Sequence, residues 1–147
     1  MAIGFTRWEA PLRLVTGAYI LQRGLAKYDL SDQDARSLHD LAKAADIPGM
    51  DDLEPGELAD LVSVAETALG GLLLAPFVPR RIAGLALLVF GGVKLHVYWH
   101  APGLRQEGSY LPTDEGLVYA KDVLLCAIGL SLCLATSRKK ERQRTRE

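Results

Sequence analysis

Between Leu61 and Trp99 the chain runs through two apolar segments, LVSVAETALGGLLLAPFVP and IAGLALLVFGGVKLHVYW, that meet at the basic turn Pro79-Arg80-Arg81. Neither alternates apolar with polar residues, so neither reads as a half-buried strand. Each is close to the ~20 residues that a helix needs to cross a bilayer. The spacing predicts a transmembrane helical hairpin. It carries two charges where lipid would reject them: Glu66 in the first segment and Lys94 in the second.

The mean hydropathy of +0.10 hides this pattern because the polar residues are segregated. From Asp29 to Asp60 there are ten Asp and Glu but only Arg36 and Lys43 as cations, and a second polar block follows Thr136. Ahead of the acidic segment, Met1 to Glu9 read as a short arm with Arg7 and Trp8 suited to a membrane interface. PLRLVTGAYILQRGLAKY (Pro11–Tyr28) then reads as a first, less apolar span, with Pro11 in its first turn. The N-terminus lacks the long apolar stretch and small-residue cleavage site of a signal peptide, so this helix is expected to be retained.

Within the acidic segment, Ser31 and Asp34 resemble a capping box. Ala35, Leu38, Leu41, Ala42 and Ala45 then recur at helical spacing. A short amphipathic helix is expected there, lying on the membrane surface or over the bundle mouth and ending at Pro48-Gly49. Thr113 is placed to cap a last span, with Asp114 and Glu115 in its first turn.

The fold class is therefore all-α: a four-transmembrane-helix bundle with a short amphipathic helix in the first extracytoplasmic loop. A single domain covers residues 1–147, with spans at about 11–28, 58–78, 81–99 and 116–136, an outer loop at 29–57 and a basic tail at 137–147. Arg80 and Arg81, and the tail's Arg138, Lys139, Lys140, Arg142, Arg144 and Arg146, place the hairpin turn and both termini in the cytoplasm by the positive-inside rule. Beside a span, such a tail reads as a topology and anionic-lipid signal rather than a nucleic-acid patch.

Helix rise converts sequence position into depth. Glu66 and Lys94 fall roughly 18 and 20 Å above the cytoplasmic end, Lys121 and Asp122 roughly 21–23 Å, and Arg23 and Lys27 about 15–24 Å. All four spans thus bring ionisable groups to one outer layer, and His96 joins them if its face turns inward. Charges in a hydrocarbon core face the bundle interior, pair with one another or line a polar cavity. The candidate ligand-binding residues are Glu66, Lys94, Lys121, Asp122, Arg23, Lys27 and His96, a net cationic pocket suited to a quinone head group, a lipid phosphate or an oxyanion. The same residues can instead be salt bridges that fix helix register.

Cys126 and Cys133 are seven residues apart, ~10 Å along a helix axis, too far for a disulfide to each other. His96 and His100 share a helix face but lack further ligands, so no metal site is assigned. Gly70-Gly71 and Gly91-Gly92 let helices approach closely. No P-loop, GxSxG, CxxC or dinucleotide fingerprint is present, and no catalytic residue is assigned.

RLVTGAYILQRGLAKY (Arg13–Tyr28), AETALGGLLLAPFVPRRIAGLALL (Ala65–Leu88) and EGLVYAKDVLLCAIGL (Glu115–Leu130) together resemble the DoxX family of small bacterial four-helix membrane proteins, in an actinobacterial form. Arg13, Gly24, Lys27, Glu66 and Gly70-Gly71 match family features. The resemblance implies an accessory or scaffold subunit of a respiratory or redox complex in the bacterial inner membrane. Its expected partners are membrane lipids and complex subunits, with no nucleic acid. The alternatives are a quinone-binding oxidoreductase subunit, with quinone as the possible cofactor, and a small lipid- or anion-binding protein or transporter.

Overall fold

The computed structural model describes residues 5, 7–50 and 52–135. The basic tail expected at 137–147 and most of the N-terminal arm lie outside the described residues. The protein is all-α. Its helices are α1 (Glu9–Ala26), α2 (Asp32–Ala44), α3 (Pro55–Leu74), α4 (Arg80–His100), α5 (Gly116–Ala120) and α6 (Val123–Leu134). α5 and α6 continue one another as one 19-residue helix, so the described residues form five helices. Among the described residues there is no strand, only an isolated antiparallel bridge between Arg105 and Pro112.

The helix starts are chemically marked. At α2, the Asp34 N–H donates to Ser31 Oγ at 3.2 Å and the Ser31 hydroxyl donates to Asp34 Oδ2 at 2.7 Å. At α3, Glu54 and Glu57 form a reciprocal capping box with Pro55 at the first helical position, where a missing N–H costs nothing. At α5, Thr113 Oγ1 accepts from the Gly116 N–H at 3.1 Å while donating to the Gly103 carbonyl at 2.7 Å. The α2 terminus differs from expectation. The helix stops at Ala44, and Asp46 takes a left-handed φ of 51°, so the chain turns before reaching Pro48.

Among the described residues two helices, Arg80–His100 and Gly116–Leu134, are long and apolar enough to cross a membrane. α1 and α3 fall short because Glu9, Arg13 and Arg23, and Glu57, Asp60 and Glu66, dilute them.

The consecutive segments α3 and α4 are not the principal packing pair. α1 packs chiefly on α3, and α4 on α6. Glycines decide this. A Cβ on Gly70 would stand 2.6 Å from Leu21 N, and one on Gly84 would stand 2.8 Å from the Gly129 carbonyl oxygen. Small residues allow backbones to approach this closely. Gly71 and Gly92 face open space, so only one residue of each Gly-Gly pair packs a helix. One apolar core joins Ile20, Leu69, Leu73, Ala83, Leu87, Leu125 and Leu132. A second, at the other end, joins Ala45, Val97, Tyr98, Ala101 and Leu104.

Candidate functional site

A layer of charge lies between the two cores. Lys27 Nζ donates to Glu66 Oε2 at 2.5 Å, and Lys94 Nζ stands 3.7 Å from Glu66 Oε1 and 4.0 Å from Asp122 Oδ2. Arg23 closes the chain, 3.6 Å from Asp122 Oδ1 and 3.2 Å from the Tyr19 hydroxyl to which it donates. The order Lys27–Glu66–Lys94–Asp122–Arg23 therefore runs from α1 through α3, α4 and the α5–α6 junction, and back to α1. Glu66 is 0% exposed and Asp122 2%, while the Lys94 side chain is 12% exposed.

Local backbone features aim these groups. Lys27 sits just past the end of α1, and its ammonium also donates to the Arg23 carbonyl at 3.3 Å, one of the acceptors left free at a helix end. At Lys121-Asp122 the helix tightens: Asp122, Leu124 and Leu125 N–H groups bond to the carbonyls three residues back, those of Tyr119, Lys121 and Asp122. This short 3₁₀-type turn puts Asp122 inside at the N-terminus of α6, where the helix dipole favours its charge. Lys121 is left outside.

The layer is incompletely bonded. Glu66 Oε1 and Asp122 Oδ2 are buried with no hydrogen-bond partner. Both face the Lys94 ammonium at distances beyond hydrogen-bond reach. The aromatic rings of Phe90 and Tyr119 lie 5.7 and 5.1 Å from Lys94 Nζ.

Of the seven sequence candidates, the structure brings together Arg23, Lys27, Glu66, Lys94 and Asp122. Lys121 is exposed, because two neighbours on a helix point about 100° apart and its neighbour Asp122 takes the inward position. His96 is also exposed and turns away. It donates from Nε2 to the Ala45 carbonyl at 3.0 Å, tying the end of α2 to α4. Its ring stacks on His100 with centroids 4.1 Å apart, and His100 Nδ1 donates to the His96 carbonyl. His39, which has no evident partner in the sequence, donates to the Leu53 carbonyl at 2.9 Å. Among the described residues no group of three or more His, Cys, Asp or Glu is arranged to hold a metal ion.

Two features were missed by sequence reasoning about the site. The first is Arg13, 1% exposed. Its guanidinium donates to the carbonyls of Leu73 (2.9 Å), Val78 (2.9 Å), Leu72 (3.1 Å) and Ala75 (2.8 Å). It caps the C-terminus of α3 from α1, and its face covers the Phe5 ring at 4.6 Å. The second is a cavity of about 730 Å³ between α3 and α4, roofed by Leu38, Leu41 and Ala42 of α2. Leu61, Ala65, Leu72, Leu85, Val89 and Val93 line its walls, and Lys94 is the one charged residue on them.

Comparison with protein-family models, curated proteins and solved structures finds no match to this chain.

Proposed function

We propose that the protein is a four-span integral membrane subunit, an accessory or scaffold component of a respiratory or redox complex of the bacterial inner membrane, with α2 on the outer side and both termini cytoplasmic. The observation that carries the membrane reading is an inverted distribution of polarity. Arg13, Glu66, Asp122 and Ser63 are fully buried, whereas Val15 is 70% exposed, Leu124 61% and Leu134 69%. In water this arrangement is unfavourable for both groups. In lipid, charges turn inward and pair, and apolar side chains turn outward. Of the charges that dilute α1 and α3, Glu9, Arg13 and Glu66 are buried and Glu57 and Asp60 lie exposed in the first two turns of α3, so the outer faces beyond those turns can meet lipid with residues such as Val15, Leu25 and Val64. α4 and α5–α6, by contrast with the core helices of a water-soluble protein, bury only 33% and 22% of their apolar windows.

The redox setting comes from the resemblance to the DoxX family alone. Extraction in a gentle detergent, followed by affinity capture and mass spectrometry, tests both parts. The expected result is a protein that leaves the membrane only with detergent and carries a reproducible set of respiratory or thiol-redox proteins. A protein recovered from the aqueous fraction contradicts the membrane reading, and one recovered alone contradicts the subunit reading. In the assembled complex, Glu66→Gln should lower assembly yield and leave the redox rate per complex unchanged. Lost rate with intact assembly would favour the quinone-binding alternative.

A further inference from the structure

We propose that the outer turn of α1 binds one anionic phospholipid, whose singly charged phosphodiester sits against Arg23 and Lys27. This rests on the membrane reading and is independent of the subunit reading.

The charge layer is uneven in sign and in depth. Its three cations, Arg23, Lys27 and Lys94, face two carboxylates, so one positive charge has no counter-charge within it. The carboxylates are covered: the Glu66 side chain is 0% exposed and that of Asp122 2%. The two cations on α1 are not, at 21% for Arg23 and 17% for Lys27. A group that approaches α1 from outside therefore meets cations first, with the carboxylates behind them. Lys94 is more enclosed, beside the rings of Phe90 and Tyr119 on the wall of the apolar cavity. An uncompensated charge is costly within a membrane, and an anion on the α1 face removes it.

The donors are already arranged. Tyr19, Arg23 and Lys27 are four residues apart, so they share one edge of α1 at steps of about 6 Å. Arg23 Nη1 donates to the Tyr19 hydroxyl at 3.2 Å, and the guanidinium carbon lies 5.6 Å from the centre of the Tyr19 ring. These contacts fix the guanidinium. Because that hydroxyl is an acceptor here, its own proton is left to donate, on a side chain 46% exposed. A phosphodiester has two non-bridging oxygens, which suit a guanidinium fork with a second donor beside it. Its single charge matches the single unbalanced cation. Inorganic phosphate, like a phosphate monoester, carries about −1.5 to −2 near neutrality and would overshoot.

The height also fits a head group. Arg23 stands three residues before the end of α1, about 4.5 Å along the axis, and long cationic side chains reach outward from such a position. Tyr28, 51% exposed just past the helix, is an interface residue. The negative end of the α1 dipole opposes an anion here. Lys27 offsets it by donating to the Arg23 carbonyl at 3.3 Å.

The test uses the full chain in phosphatidylcholine vesicles with three photoreactive lipids that carry the same diazirine high on one acyl chain: a phosphatidylglycerol, a phosphatidylcholine and a free fatty acid. After an alkaline wash, cross-linked peptides are located by mass spectrometry. The phosphatidylglycerol probe should label residues 19–28 about ten-fold above the phosphatidylcholine probe, the scale of one charge-assisted hydrogen bond. Arg23→Gln should remove that preference. Arg23→Lys keeps the charge without the fork and should lower it about three-fold. Tyr19→Phe should lower it by a similar factor, and these two variants carry the test if Arg23→Gln does not insert. Lys121→Ala, at the same depth and exposed, should leave it unchanged. An equal fall in Lys121→Ala means that surface charge alone attracts the lipid, and overturns the proposal. So do equal labelling by phosphatidylglycerol and phosphatidylcholine, stronger labelling by the fatty acid, competition by millimolar inorganic phosphate, or a preference unchanged by every Arg23 and Tyr19 variant. Protein lost in the wash overturns the membrane reading and this site together, whereas protein retained without the preference overturns this site alone.

Discussion

Arg13 and Lys94 are both long cations drawn into an apolar bundle, one at the end of α3 and one in the layer between the two cores, and they are bonded in opposite ways. Arg13 spends four donors on four carbonyls at the end of α3, all within 3.1 Å. Lys94 stands between two carboxylates without hydrogen-bonding either. Arg13 closes an account that the helix end itself opens, since the last carbonyls of a helix have no partner of their own. The planar fork of a guanidinium suits that task better than an ammonium. Lys94 leaves one buried oxygen unbonded on each of its two carboxylate neighbours. A satisfied buried charge specifies architecture, whereas an incompletely bonded one holds it less tightly.

This contrast can be broken by mutation. The largest effect should come from Arg13→Met, which strips hydrogen bonds from four carbonyls and costs about 4 kcal/mol of unfolding free energy, read by equilibrium denaturation in lipid nanodiscs. Arg13→Lys should recover only part of it, because a point charge cannot span four acceptors. Next is Glu66→Gln, which leaves Lys27 and Lys94 with one shared counter-charge fewer and costs about 3 kcal/mol by the same measurement. Gly70→Ala pushes a methyl into the backbone of Leu21 and should cost about 2 kcal/mol. Gly71→Ala, with nothing within 4 Å, should instead raise stability by about 0.5 kcal/mol through helix propensity. The smallest is Lys121→Ala. Its side chain lies outside the layer, and the change should stay within about 0.5 kcal/mol.

The sequence carries much of this in legible form. Helix rise alone placed Glu66, Lys94, Asp122, Arg23 and Lys27 at one depth, and those five meet. What depth could not resolve is rotation about each helix axis. Lys121 and Asp122 are neighbours at nearly the same height, and the 3₁₀-type turn that sends one in and the other out has no signature in either residue. His96 failed for the same reason: its height matches, but its face turns to Ala45. The partner of each helix was also hidden. Gly70 and Gly91 announce close packing, but a glycine does not say which helix approaches it. The two glycines close on α1 and α6 rather than on each other. That leaves the α3 and α4 stripes apart, and the cavity between them. Such stripes are indistinguishable in sequence from a packed core. Arg13 is singled out in the sequence by the resemblance alone, and its task is not legible there, because its partners are backbone carbonyls, which every residue type supplies.

The most direct measurement is the equilibrium unfolding of Arg13→Met and Lys94→Met side by side in the same lipid nanodiscs. Without Lys94, Glu66 keeps Lys27 and Asp122 keeps Arg23. That variant should lose about 1 kcal/mol, against about 4 kcal/mol for Arg13→Met. Equal losses, or a larger loss at Lys94, would contradict the account by making Lys94 a structural tie of the same kind as Arg13.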